Sequence, residues 1–125
     1  MKGELSRRER QIMDVIYQLG QASVAEVLER LSDPPSYSSV RALLRILEEK
    51  GHLTHSESGA RYIYAPTTPR EVARKSAMER MLSTFFEDST EKAVAALLDL
   101  GGDRLSDDEL ARIERLISAA REEGR

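Results

Sequence analysis

Four copies of one short signal divide this chain. Ser6-x-x-Glu9, Ser23-x-x-Glu26, Thr68-x-x-Glu71 and Ser106-x-x-Glu109 each set a hydroxyl three residues ahead of a carboxylate. At that spacing the two side chains satisfy each other's orphaned backbone N–H groups at a helix start. A chain restarted this often is built from short helices. Pro69 falls at the first helical position of the third signal, where a missing N–H costs nothing. Leu105 and Leu110 bracket the fourth as a hydrophobic staple.

Periodicity fills in what the caps begin. Ile12, Val15, Ile16 and Leu19 mark the inner face of a helix from Arg7 to Leu19, closed by Gly20. Val24, Val27, Leu28 and Leu31 mark a second, ended by Asp33-Pro34-Pro35, because proline removes a donor and disfavours helix in the residue before it. Ser36 caps a third, which stops with Gly51 in the left-handed region. Two strand-like runs follow, His52–Glu57 and Arg61–Ala65, around Ser58-Gly59-Ala60. Leu53 and His55 share one strand face, as do Tyr62 and Tyr64. Three helices and a hairpin in about 65 residues make a winged helix, with the hairpin as the wing.

The rest reads as three more helices: Pro69 to about Phe86, Thr90 to Leu100 and Asp107 to Glu123. The expected fold is mainly α: a winged-helix DNA-binding domain over residues 1–66, then a helical dimerisation domain over 67–125. Three helices in the second part bury too little surface to fold securely alone. Their apolar residues Met78, Met81, Leu82, Phe85, Phe86, Leu97, Leu110, Ile113 and Ile117 are therefore expected to pack against a second copy, as a homodimer.

The third helix carries the functional signal. At about 100° per residue, Val40, Leu43, Leu44 and Leu47 cluster inward, while Ser38, Arg41, Ala42 and Arg45 fall opposite. Over two turns this outer arc holds small residues and guanidinium groups and no carboxylate, where an ordinary solvated face mixes both signs. Small residues let a helix sit deep in a groove, and arginine bonds a guanine edge or a phosphate bidentately. The expected DNA-facing set is Ser36, Tyr37, Ser38, Ser39, Arg41, Ala42 and Arg45, with Arg61 after the wing turn reaching a phosphate. Arg61 equally suits a surface ion pair with Glu57. Lys50 is accounted for by the dipole at its helix C-terminus, and Arg7, Arg8 and Arg10 by a solvated face.

Charge tempers this reading. The 125-residue chain carries 19 Lys/Arg against 22 Asp/Glu, a net charge of −3. Residues 1–66 balance at 9 against 9. Affinity for DNA must then come from how charge is arranged. The chain has no cysteine, hence no disulfide or thiolate metal site. His52 and His55, three apart on a strand, point to opposite faces and do not form a metal pair. Asp107, Asp108 and Glu109 complement a helix N-terminus. No nucleophile–base arrangement or phosphate loop is present, so no enzyme activity, metal or cofactor is expected. Without a signal peptide or an apolar span, the expected place is the cytoplasm, with no membrane insertion.

Several runs carry a family resemblance: Leu5-Ser-x-x-Glu9-x-x-Ile12-Met13, Ser23-Val-Ala-Glu-Val27, Tyr37-Ser-Ser-Val40, Leu47-Glu-Glu-Lys-Gly51 and Arg61-Tyr-x-Tyr-Ala-Pro66. Together they resemble the penicillinase-repressor (BlaI/MecI) family of winged-helix transcriptional repressors. The match is tight over the first two-thirds and looser through Leu105-Ser-Asp-Asp-Glu-Leu110. The resemblance implies a dimer joined through its C-terminal helices on a near-palindromic double-stranded operator. It carries the recognition contacts to Ser38, Ser39, Arg41, Ala42 and Arg45, and the wing contact to Arg61. It also implies β-lactamase or cell-wall target genes, an antibiotic response, and a membrane sensor protease that cleaves the repressor. The family's Asn-Phe cleavage bond corresponds here to Leu98-Asp99, and the cysteine cluster of its copper-responsive relatives has no counterpart. Two other readings stay open: a winged-helix protein-interaction module that does not bind DNA, and a ligand-responsive repressor with an effector pocket between its two halves.

Overall fold

A computed structural model describes residues 3–124. Three helices, α1 (Arg7–Leu19), α2 (Val24–Arg30) and α3 (Tyr37–Glu49), precede an antiparallel hairpin of β1 (Leu53–Ser58) and β2 (Arg61–Pro66). Three further helices follow: α4 (Arg70–Phe85), α5 (Thr90–Gly101) and α6 (Asp107–Glu123), with a 3-10 turn at Gly102–Arg104. The chain is a winged helix followed by a helical region, as its patterning implies.

The caps explain why the first helices start where they do. Ser6 accepts the Glu9 N–H while the Glu9 carboxylate accepts the Ser6 N–H at 2.7 Å, and Ser23 and Glu26 repeat the exchange. Each such cap is worth about 1 kcal/mol. Ser106 accepts the Glu109 N–H at 3.1 Å at the start of α6, and Ser89 caps α5 through the Lys92 N–H. At the third signal α4 begins at Arg70, one residue past Pro69, the position expected to open it, and the Pro69 carbonyl receives the Ala73 N–H. Proline's fixed φ serves at either position.

The winged-helix core lies where α1, α2 and α3 meet the hairpin. Ile12 and Ile16 from α1, Val27 from α2, and Val40, Leu44 and Leu47 from α3 are fully buried. At about 1.5–3 kcal/mol each, these six are the main apolar stabilisation of the unit. Leu53 and Tyr64 close it from the wing side. The hairpin turn is tighter than the sequence suggests: Ser58 pairs with Arg61, leaving Gly59 and Ala60 as a two-residue loop. Gly59 supplies the positive φ, +65°, that such a turn needs.

One pairing escapes a reading of local pattern. Ala22, between α1 and α2, exchanges both backbone hydrogen bonds with Tyr64 at 2.8 and 2.9 Å. This isolated bridge ties the two-stranded wing to the joint between α1 and α2. The start of α4 is held to α1 in turn, as the Tyr17 hydroxyl donates to the Thr68 carbonyl and the Arg70 guanidinium donates to the Tyr17 carbonyl.

The chain resolves into two compact units, residues 1–75 and 76–125. In the second, Ala93 is the one buried hydrophobic among the described residues. The α4–α5 joint places Glu87 and Asp88 at positive φ, and the Lys92 ammonium reaches Glu87 at 2.7 Å. Gly101 is needed for close approach, since a Cβ there would sit 2.8 Å from the Leu105 side chain. Among the described residues no helix is long and apolar enough to cross a membrane.

Candidate nucleic-acid interface

The outer arc of α3 begins with a cap. Ser36 accepts the Ser39 N–H at 3.2 Å, and its Oγ also lies 2.9 Å from the Ser39 hydroxyl and 3.2 Å from that of Ser38. Ser36, Tyr37, Ser38, Ser39, Arg41 and Arg45 are exposed, and Ala42 is half-buried. Val40, Leu44 and Leu47 turn inward. The apolar stripe thus fixes the roll of the helix and aims the serines and guanidinium groups away from the core.

The wing adds aromatic walls beside this arc. His55 on β1 stacks on Tyr62 of β2, with ring centroids 4.2 Å apart and planes 14° from parallel. Tyr64 meets Tyr62 edge-on at 6.3 Å. Two shallow hollows result. One, of about 290 Å³, is lined by Ser23, Ala25, Tyr37, Arg41, Arg61 and Tyr62 among others. The other, of about 330 Å³, lies between α3 and the wing and includes Ser38, Arg45, Glu48 and His55. Arg41, Tyr62 and Tyr64 line both.

The arc is carboxylate-free only through Arg45. Glu48 and Glu49 follow in the next turn, and each has a basic partner. The Nδ1–H of His55 donates to both Glu48 oxygens, at 2.7 and 2.8 Å. Because a carboxylate only accepts, Nδ1 must carry the proton. Arg45 lies 3.8 Å from Glu49, an (i, i+4) pair with both side chains about 70% exposed, and such pairs are worth little. Arg45 is therefore free to exchange Glu49 for a ligand. Burial pushes the Tyr64 hydroxyl pKa up, the Glu48 charge and Tyr62 add to that, and Arg41 opposes it.

Arg61 is exposed, and it faces Ser58 across the hairpin while Glu57 faces Tyr62. No Arg61–Glu57 ion pair forms among the described residues. The Arg61 charge instead reaches toward Glu26 at the start of α2. Its field contributes, after the Ser23 hydrogen bonds, to holding that carboxyl below its usual pKa. Arg41 and Arg61 thus line one hollow, a donor-rich surface with no acceptor of its own on either guanidinium.

Other basic residues have structural partners. Lys50 does more than complement a helix dipole: its ammonium donates to both oxygens of buried Glu9 and to the Glu4 carbonyl. Arg8 reaches Gln11 at 3.3 Å. His52 Nε2 meets the Gly3 carbonyl at 2.6 Å, so the two histidines engage separate partners. Among the described residues no group of three or more His, Cys, Asp or Glu is placed to hold a metal ion.

The apolar residues expected to mediate self-association lie on α4, α5 and α6. Met78, Phe85, Leu97 and Ile117 are exposed, whereas Met81, Leu82, Phe86, Leu110 and Ile113 are partly covered. Leu98, Leu100 and Leu116 are also exposed and extend the apolar surface beyond the expected set.

The protein is 24% identical over 118 residues to an uncharacterised 16.5 kDa protein of Latilactobacillus sakei, covering 93% of this chain and 80% of that one. It also matches a structure of Bordetella bronchiseptica BpsR, solved to explain regulation of its DNA binding by 6-hydroxynicotinic acid. That match has 16% identity and a TM-score of 0.49, covering 96% of this chain and 77% of the other. Residues 5–119 match the family model described as penicillinase repressor. With nearly its whole length matched, the chain belongs to the penicillinase repressor family.

Proposed function

We propose that this repressor binds a near-palindromic operator as a homodimer, one α3 helix per half-site, and silences transcription by occupying the site. Residues 1–66 read DNA and residues 67–125 join the two copies. Ser38, Ser39, Arg41, Ala42 and Arg45 enter the major groove. Ser36 and Tyr37 flank the entry, and Arg61 contacts the backbone. The observation that carries this reading is the exposed arc from Ser38 to Arg45, which offers only hydroxyls, a methyl group and guanidinium forks. The protein acts in the cytoplasm and does no chemistry itself.

The exposed apolar residues of α4–α6 support the dimer. Phe85, Leu100 and Leu116 are each more than 70% exposed in the single chain, which leaves large apolar side chains available to a second copy. By family membership the target genes belong to a β-lactam or cell-wall response, with a membrane sensor protease as the partner that relieves repression. Leu98-Asp99 lies inside α5, so cleavage there requires that helix to unwind first. A mobility shift against the promoter of the protein's own gene tests the central reading. Retardation at nanomolar protein supports it, and none at low salt points to a protein-interaction module.

A further inference from the structure

Among the described residues, Glu48 is the acidic side chain that shares a hollow with Ser38, Arg41 and Arg45. On α3 it stands seven residues from Arg41 and three from Arg45, so it falls on the same side of the helix as both. Left free, its carboxylate would attract either guanidinium and oppose an approaching phosphate. It is not free, because His55 holds both of its oxygens from the wing, and Tyr62 stacked on the ring fixes the imidazole plane.

Taking the Ser38–Arg45 arc as the DNA-facing surface, we propose that His55 is a positioning residue for DNA recognition: by holding Glu48, it leaves Arg41 and Arg45 available to the groove and masks a carboxylate from the phosphates. His55 touches no base in this account and acts through Glu48. The other charged or titratable groups around it are Glu57 on its own strand face, Arg41 and Arg45 on α3, and Tyr62 and Tyr64 on β2.

The experiment is a variant cycle on the full chain, with fluorescence anisotropy on a duplex selected from a random pool by the wild-type protein. His55→Ala weakens binding about tenfold, and Glu48→Gln tightens it. The His55→Ala/Glu48→Gln double variant recovers to within about twofold of wild type, since the exposed carboxylate is gone. His55→Gln, which keeps a donor to offer Glu48, binds closer to wild type than His55→Ala does. Wild-type affinity for His55→Ala, or no recovery in the double variant, would overturn the masking role. A failure to recover with a lowered melting temperature assigns His55 to wing stability alone. Arg41→Ala separates the two levels. If it binds like wild type, the DNA-facing reading itself fails; if it binds poorly while His55→Ala does not, only the role of His55 is lost.

Discussion

The Lys50 ammonium lies 2.8 Å from one oxygen of Glu9 and 3.1 Å from the other, tying the end of α3 to the first turn of α1. Glu9 is 3% exposed and also accepts the Ser6 N–H, so one buried carboxylate serves as cap and ion-pair partner at once. Removing the ammonium leaves that carboxylate buried and only half satisfied. Lys50→Met is therefore expected to destabilise the protein by about 2–3 kcal/mol, measured by urea unfolding. A loss under about 0.5 kcal/mol, the size of a surface pair, would contradict this.

The same pair sets an acid limit on stability. Burial pushes the Glu9 carboxyl pKa up, but the Lys50 hydrogen bond and charge together with the Ser6 bonds outweigh it, and the net direction is down. A carboxyl lowered in the folded state adds stability above its unfolded value, and that contribution drains away as pH falls through the lowered value. The contribution of Glu9 should thus be full above the ordinary carboxylate value, decline as pH falls below it, and be gone once pH is below the lowered value. Glu9→Gln should be less stable at neutral pH, with the difference shrinking in acid.

Arg41→Ala is expected to weaken operator binding by about 1–3 kcal/mol if that guanidinium reads a base edge. Arg61→Ala should weaken all sequences alike and flatten the dependence of affinity on salt by about 0.9 in log–log slope, as loss of one phosphate contact requires. Titrations at several salt concentrations separate the two roles.

The helical half makes its own prediction. Leu116→Asp places a charge on the apolar surface of α6 without touching the winged-helix core. Sedimentation should show the wild type as a dimer at micromolar concentration and the variant shifted toward monomer, with weaker DNA binding in consequence. A variant that stays dimeric moves the interface elsewhere. Thermal-shift screening with small molecules tests whether an effector also acts, since a bound ligand raises stability by mass action.

Local grammar made much of the fold readable. Ser6, Ser23, Ser36 and Ser106 announce their helices because a cap is decided within four residues. The inward Ile12, Val27 and Leu44 follow from a 3.6-residue period. What remained hidden was decided between segments. The Ala22–Tyr64 bridge joins residues 42 positions apart, and a bridge at a single residue has no period to detect. Lys50 reads as a dipole partner until its distance to Glu9 is known. The pairing of His55 with Glu48 depends on how the wing docks against α3, which neither segment encodes alone. Even there a trace existed, since Glu48 continues the spacing of Arg41 and Arg45.

The role assigned to the arc from Ser38 to Arg45 is tested most directly by following backbone amide resonances while a selected duplex is added. The perturbed amides should cluster at residues 36–45 and 58–62, while those of α6 move little. Perturbations confined to α4–α6, or a duplex that leaves residues 36–45 unchanged, would contradict it.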